Sequence, residues 1–215
     1  MNAPFSINRR MVLKSAGFLA LSFGIPAERA GAAAGAAKLP GDLKDNPMLS
    51  AWLRIDAGKT VTLMIGKVEL GQGAITAVAQ VCADELAVDI GRLKIISGDT
   101  AVVPNEGVTA GSQSMPNCAP AIQQVSADVR EILFALAAAK FGQPVEGLKV
   151  EDGVITSANG SSVTYWDLVT GKELEREATG SAKLRPISGH RYIGKSFPRL
   201  DIPGMVTGGQ SMCRT

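Results

Sequence analysis

The sequence has little of what metal sites and nucleic-acid surfaces require. Its 215 residues include one histidine, His190, and three cysteines that stand far apart, at Cys82, Cys118 and Cys213. No spacing typical of a zinc site or a disulfide framework is therefore present. The formal net charge is only +2, so we expect no broad basic surface and no nucleic-acid partner.

Long hydrophobic runs are also absent. The longest N-terminal run, Ala16 to Ile25, is too short to cross a bilayer, and we expect no transmembrane segment. It follows an Arg9-Arg10 pair and precedes a run of small residues up to Ala37. This order predicts an export signal over residues 1–37, of the twin-arginine type, and a periplasmic location; an ordinary Sec signal is the alternative.

A strand, a glycine turn and a helix stand at the centre of the chain. Residues 61–65 are β-branched or apolar and predict a buried strand, and residues 74–86 predict an amphipathic helix with Cys82 on its apolar face. Between them, Gly71 and Gly73 flank Gln72. We expect the helix N-terminus to offer free N–H groups at which an anion could dock, although Gly-x-Gly also occurs as a plain tight turn.

The rest of the pattern predicts an α+β fold: a mixed sheet of short strands packed with two main helices. Further strands are predicted at 51–55, 92–97, 145–150 and 153–156. The second main helix is predicted at 119–141, and a short helix capped by Thr164 at 165–170. We expect a linker at 38–50, a domain at 51–170 and an extended tail at 171–215.

The long loop at 98–117 contains the polar run Thr109 to Ser114. Its backbone amides and hydroxyls suit a phosphate-bearing ligand that must be held without a fixed opposing charge. No acid/base pair stands out, and Ser112 and Ser114 have no histidine nearby to activate them. Four acidic residues are interpreted as solvated or capping charges: Asp84, Glu85, Asp99 and Glu106.

Four short runs carry a family resemblance. They are Gly-Lys-Val-Glu-Leu-Gly-Gln-Gly at 66–73, Gln-Val-Cys-Ala-Asp-Glu-Leu at 80–86, Gly-Asp-Thr at 98–100 and Thr-Ala-Gly-Ser at 109–112. In this order they resemble the molybdenum-binding large subunit of the xanthine dehydrogenase/aldehyde oxidase superfamily, of the isoquinoline 1-oxidoreductase beta or nicotinate dehydrogenase B type. The resemblance covers about residues 45–207 and makes the fold part of a larger molybdopterin-binding domain.

The resemblance implies a cofactor, molybdopterin cytosine dinucleotide with molybdenum. Gln72 would hydrogen-bond at the molybdenum-pterin centre, and Ala110 and Gly111 would lie beside the metal and substrate. The full set of cofactor-binding residues that it implies is Leu70, Gly71, Gln72, Gly73, Thr109, Ala110, Gly111, Ser112, Gln113 and Ser114. It assigns no catalytic residue and no metal ligand to this chain.

The implied reaction is hydroxylation of a carbon in an N-heterocycle or aldehyde with oxygen from water. Electrons would leave through iron–sulfur clusters on a partner small subunit, with a cytochrome as a candidate acceptor. The family's catalytic base is a glutamate late in a much longer chain, and no residue here matches it. We therefore expect the chain to be inactive without the remainder of the molybdenum-binding subunit.

Residues 198–208 resemble the start of the family's next domain, whereas residues 209–215 do not continue it. A frameshift or early stop is one hypothesis for this ending, and Cys213 then has no role as a site. Two alternatives remain open at this point. The chain is a free-standing periplasmic cofactor-binding or assembly protein, or it is the product of a non-functional gene fragment.

Overall fold

The computed structural model describes residues 38–56, 58–169 and 174–208. The predicted export signal and Cys213 lie outside the described residues. The described residues belong to one compact unit.

The first sheet contains three strands: β1 (Leu53–Asp56), β2 (Thr60–Ile65) and β3 (Leu93–Ser97). Strand β1 pairs antiparallel with β2, and β2 pairs parallel with β3, so the sheet is mixed. Every residue of β2 after Thr60 is buried. This burial is what its nearly continuous apolar sequence requires, because a central strand covered on both faces needs no polar side.

Two helices cover this sheet. Helix α1 (Ala74–Leu86) connects β2 to β3, and helix α2 (Ala119–Phe141) packs against α1. Both helices begin and end where the sequence predicted. With 23 residues, α2 is about 35 Å long, since a helix rises about 1.5 Å per residue. Its left-handed C-cap, Gly142, is the residue type that most readily adopts that conformation.

A second, antiparallel sheet follows α2. Its strands are β4 (Lys149–Glu151), β5 (Val154–Thr156) and β6 (Ser162–Thr164). The sequence did not predict β6, because its residues Ser-Val-Thr include only one apolar side chain. Helix α3 (Tyr165–Leu168) begins after a capping box, in which Thr164 Oγ1 accepts from Asp167 N at 3.2 Å. The predicted cap is thus confirmed.

Several contacts attach the second sheet to the first layer. The Arg92 guanidinium donates to both carboxylate oxygens of Asp152, with Nε–Oδ1 at 2.7 Å and Nη2–Oδ2 at 2.6 Å. This bidentate pair lowers the pKa of Asp152. The buried Tyr165 hydroxyl donates to the Leu86 carbonyl at 2.8 Å. The α+β prediction, with short strands and two main helices, is confirmed.

The hydrophobic core extends beyond the predicted domain. Leu43 and Leu49 are fully buried within it, so residues 38–50 pack as part of the domain and are not a linker. Burying a leucine side chain stabilises the fold by about 1.5 to 3 kcal/mol. The rest of this core comes from β2, α1 and α2, through residues such as Leu63, Ile65, Val78, Leu86, Ile122, Val125 and Leu133.

Residues 174–200 have little regular structure but are held against the helices by buried acids. The Asp84 carboxylate accepts from three consecutive backbone amides, those of Arg191 (2.6 Å), Tyr192 (3.0 Å) and Ile193 (2.7 Å). Glu85 pairs with Arg130 in the interior. The interpretation of Asp84 and Glu85 as solvated or capping charges was therefore wrong. Hydrogen bonds offset much of the cost of their burial, although Glu85 Oε2 has no partner among the described residues.

A short helix, α4 (Ile202–Val206), ends the described part of the chain. Across residues 38–56, 58–169 and 174–208, no helix combines the length and the apolar character needed to span a membrane.

Candidate functional site

The glycine turn and the polar loop, which are distant in the chain, lie side by side. The backbone N–H of Val68 donates to Thr109 Oγ1 at 3.0 Å. The Lys67 ammonium donates to the backbone carbonyls of Glu106 and Val108, the latter at 3.3 Å. The end of β2 is thereby attached to the start of the 109–114 loop, and the structure brings together the two segments that the sequence singled out.

A buried cluster of charges supports this junction. Lys67 is 3% exposed and its Nζ lies 3.6 Å from Asp42 Oδ2. Glu106, 6% exposed, accepts from the backbone N–H of Gly66 at 2.6 Å. Burial, together with the neighbouring Asp42 carboxylate, raises the pKa of Glu106. Glu106 was interpreted as a solvated or capping charge, and its burial corrects that interpretation.

The cysteines within the described ranges are both buried and free. Burial raises the pKa of Cys82 to about 12, which agrees with its predicted role as a small hydrophobic residue. Burial and the adjacent Glu106 raise the pKa of the Cys118 thiol as well. Neither thiol has the lowered pKa that a nucleophile needs.

The N-terminus of α1 is already occupied by a side chain of this protein. The Glu69 carboxylate accepts from the backbone amides of Gly71 (2.9 Å), Gly73 (2.8 Å) and Ile75 (3.3 Å). The prediction that these N–H groups are free for an external anion was wrong. A carboxylate at a helix N-terminus is favoured by the helix dipole, and it repels a second anion.

Gln72 lies exposed at the tip of the turn and folds back on it. Its Oε1 accepts from Leu70 N at 2.5 Å, and its Nε2 donates to the Val68 carbonyl at 3.0 Å. A glutamine amide has two N–H donors and two acceptor lone pairs. One donor and one lone pair of Gln72 therefore remain for a ligand.

The loop from Ala110 to Gln113 is a tight turn with two left-handed residues. Gln113 N donates to the Ala110 carbonyl at 3.3 Å, and φ is +62° at Gly111 and +58° at Ser112. Two successive positive φ angles define a type I′ turn. Within the described part of the chain, no group accepts from the backbone N–H of Ala110, Gly111 or Ser112. These exposed donors are available to a ligand.

Arg199 lies beside the glycine turn, although it belongs to a segment of the chain in which the sequence showed no secondary-structure pattern. Arg199 Nη1 donates to the Gly71 carbonyl at 2.6 Å, and Nη2 lies 3.4 Å from Glu69 Oε1. Glu69 itself could have been recognised, because acidic residues are favoured next to a helix start. Nothing local in the sequence indicates that Arg199 contacts this turn.

The backbone donors of the 109–114 loop fit a phosphate-bearing heterocycle, whereas those of the glycine turn do not. The loop offers unused amides, and no atom lies within 4 Å of the position that a Cβ at Gly71 would occupy, so the turn is open to a ligand. At the turn, the Glu69 carboxylate already takes up the amides of Gly71, Gly73 and Ile75. Among the described residues, no group of three or more His, Cys, Asp or Glu side chains could hold a metal ion.

A sequence model of the molybdopterin cofactor-binding domain family matches residues 16–198. The turn and the loop thus both lie in a molybdopterin-binding class of domain. This chain belongs to the molybdopterin cofactor-binding domain family. The predicted resemblance to the molybdenum-binding subunit of the xanthine dehydrogenase superfamily is confirmed. The match begins at residue 16, inside the segment predicted as an export signal.

Two characterised relatives are similar over most of this chain. The B subunit of nicotinate dehydrogenase from Pseudomonas putida is 34% identical over 160 residues, which are 74% of this chain and 14% of that protein. The beta subunit of isoquinoline 1-oxidoreductase from Brevundimonas diminuta is 25% identical over 242 residues, covering 94% of this chain and 31% of that protein. The chain therefore spans less than a third of the length of either relative.

Among solved structures, a chain of reconstituted CO dehydrogenase from Oligotropha carboxidovorans aligns with a TM-score of 0.49 at 24% identity. The alignment covers 54% of this chain and 15% of that chain.

Proposed function

We propose that this chain is the N-terminal, molybdopterin-contacting part of a molybdenum hydroxylase large subunit. Its substrate would be an N-heterocycle or an aldehyde, hydroxylated with oxygen derived from water. Support for the substrate class comes from the relatives, whose names specify nicotinate and isoquinoline, both N-heterocycles. The observation that carries the proposal is the 3.0 Å hydrogen bond from Val68 N to Thr109 Oγ1, because it aligns the two ligand-facing segments within a domain of this family.

In this proposal, Gln72 and the loop amides would make different contacts with the cofactor. Gln72 would orient the pterin through its second N–H and second lone pair, while the amides of Ala110, Gly111 and Ser112 would donate to acceptor atoms of the cofactor. These amides are neutral, so they would hold the cofactor without placing a fixed charge at its reactive end. The bound molybdenum cofactor would supply the redox chemistry. The cytosine dinucleotide form of the cofactor is part of the proposal.

This chain would work only as part of an assembly. The remainder of the large subunit would supply the catalytic base and further cofactor contacts, and an iron–sulfur small subunit would take up the electrons and pass them on, with a cytochrome as candidate acceptor. The twin-arginine pattern supports export of the folded assembly to the periplasm.

Sequencing downstream of the Thr215 codon in all three frames tests the proposal at the level of the gene. We expect one frame, or a neighbouring gene, to continue with a cofactor-binding chain that contains the late glutamate. If neither does, the hydroxylase proposal fails and the chain has to function by itself.

Substitution of Gln72 by Ala tests the site assignment. In the enzyme assembled from this chain and its continuation, the loss of one ligand hydrogen bond should weaken cofactor retention by about tenfold. The pterin content per protein, measured by fluorescence after oxidation and extraction, is the readout. Gln143→Ala, at the far end of α2, is the matched control and should leave the pterin content unchanged. Equal content in both variants would contradict the role of Gln72.

A molybdenum assay on the isolated 215-residue chain separates the proposal from its alternative. The incomplete site should hold little metal. Stoichiometric molybdenum in the purified chain would instead favour a free-standing cofactor-binding or assembly protein.

A further inference from the structure

The glycine turn is held in its conformation by a carboxylate from within the turn. Glu69 Oε1 accepts from both Gly71 N and Gly73 N, and Oε2 accepts from Ile75 N. The two glycines have φ angles of +100° and +75°, which other residues rarely adopt. Because one carboxylate connects three amides across the turn, the path of the backbone on both sides of Gln72 depends on Glu69.

A distant arginine holds this carboxylate in place. Arg199 is 130 positions away in the chain, and its guanidinium contacts both Glu69 Oε1 (3.4 Å) and the Gly71 carbonyl (2.6 Å). Its neighbour Leu200 donates its backbone N–H to Thr76 Oγ1 at 3.1 Å, in the first turn of α1. Residues 199 and 200 are therefore attached at two points, one on the turn and one on the helix.

The orientation of Gln72 follows from this arrangement. Its side-chain amide is bonded only to the backbone of the turn, at Leu70 N and Val68 O. If the turn changed its path, both acceptor and donor would move, and the free N–H and lone pair of Gln72 would point elsewhere. Glu69 and Arg199 control that path without being needed for contact with a ligand.

We propose that Glu69 and Arg199 are positioning residues, which lock the glycine turn so that Gln72 presents its free amide groups in one fixed direction. The consequence for cofactor binding rests on the proposed function. The lock itself does not, because it consists of contacts within this chain. Glu69 thus takes the place that an external anion would occupy. Arg199, which also pairs with its neighbour Asp201 (Nη2–Oδ2 2.5 Å), contacts the Glu69 carboxylate from a distant part of the chain.

Hydrogen exchange on the full 215-residue chain tests the lock without any cofactor. In Glu69→Gln, the peptide covering residues 70–76 should exchange at least about tenfold faster, because its amides lose a charged acceptor. Arg199→Ala should have the same direction of effect, and Arg199→Lys should restore part of the protection. The matched control is Arg191→Ala, which removes an exposed arginine of the same segment that pairs with Asp89 at 3.5 Å. It should leave exchange at 70–76 unchanged.

Pterin content of the assembled enzyme is the second readout. Arg199→Ala should lower it in proportion to the loss of protection at 70–76, and Arg199→Lys should raise it again. If the wild-type assembly itself contains no pterin, the proposed function fails, while the exchange experiment still decides whether the lock exists.

Two results would overturn the inference. Unchanged exchange at 70–76 in Glu69→Gln would show that the turn keeps its conformation without the carboxylate. Loss of protection in Arg199→Ala with full pterin content would show that the locked turn does not position Gln72 for the cofactor. A general loss of folding would be visible as faster exchange throughout β2 and α2, and Arg199→Lys then provides the decisive measurement.

Discussion

The glycine turn at 68–73 and the loop at 109–114 both contain glycine and glutamine, but they use their backbone donors in opposite ways. In the turn, Glu69 takes up the amides of Gly71, Gly73 and Ile75. In the loop, the amides of Ala110, Gly111 and Ser112 have no acceptor among the residues that the structure describes. Glycine content allows a backbone to approach a ligand. Whether its N–H groups are free depends on the neighbouring side chains.

The two segments also differ in what holds them. The turn is fixed by hydrogen bonds among its own residues and by Arg199. The loop is attached to the end of β2 through Thr109, its first residue, and through the Lys67 bond to the Val108 carbonyl just before it. A rigid turn beside a loop with free donors gives a site in which one half is preorganised. The following predictions test this difference, from the largest expected effect to the smallest.

Lys67→Met removes the buried cation that connects β2 to the loop. It leaves the Asp42 carboxylate and two backbone carbonyls without their partner, and the free energy of unfolding should fall by about 3 to 5 kcal/mol. Urea titration of the full chain measures this change. The control is Lys44→Met, since Lys44 is 61% exposed in a 3.8 Å pair and should contribute little. Similar losses in both variants would contradict the role of Lys67 at the junction.

Glu106→Gln should change how stability depends on pH. Burial raises the pKa of Glu106 above its unfolded value of 4.5, so the folded state keeps this proton to higher pH than the unfolded state does. The resulting contribution to stability is fully present below pH 4.5 and is lost as the pH rises through the folded pKa. The slope should be absent in Glu106→Gln.

Urea titrations from pH 4 upward, about one unit apart, provide that measurement. Glu146→Gln, which changes an exposed carboxylate, should retain the wild-type slope. If Glu106→Gln kept the wild-type slope, the pH dependence of stability would come from another titratable group.

Thr109→Val removes the hydroxyl that joins the loop to the turn. Val68 N then lacks its acceptor, and the free energy of unfolding should fall by about 1 kcal/mol. Thr109→Ser keeps the hydroxyl and should stay close to wild type. If serine costs as much as valine, the methyl group and not the hydrogen bond holds the loop.

Ser112→Gly should slightly stabilise the chain. Ser112 has φ of +58°, a conformation that costs a residue with a Cβ about 1 to 2 kcal/mol. Part of this gain is offset by the greater freedom of glycine in the unfolded state, which leaves about 0.5 kcal/mol. Ser50→Gly, at an ordinary φ, should destabilise the chain instead. A loss of stability in Ser112→Gly would mean that the serine side chain stabilises the loop.

Much of the fold could be predicted from local pattern. Helices α1 and α2 have long apolar stripes, and their observed bounds are those that the periodicity indicated. Strands β1 and β2 and the Thr164 cap were predicted for the same kind of reason, because each depends on residues close together in the chain. Strand β6 and helix α4 were missed, since β6 contains a single apolar residue and α4 contains Pro203 and Gly204, which are typical of turns.

The site was predictable only in part. Family resemblance pointed to Gln72 and to residues 109–114, and the structure places the turn and the loop together. Their individual roles in binding stay predictions. The role of Glu69 at the helix N-terminus was missed, although acidic residues are favoured there. Nothing local in the sequence indicated that Glu106 is buried or that Arg199 reaches the turn.

The sequence by itself determined the α+β class, the two long helices and the family, because periodicity, caps and short motifs act over a few neighbouring positions. Only the tertiary structure decided which donors remain free. A buried or capped charge depends on partners that are distant in the chain, as Arg199 is from Glu69 and Lys67 is from Asp42. Hydrogen bonds and close ion pairs require their partners to lie within a few ångströms in space, and no local pattern in the sequence records which distant residues will meet.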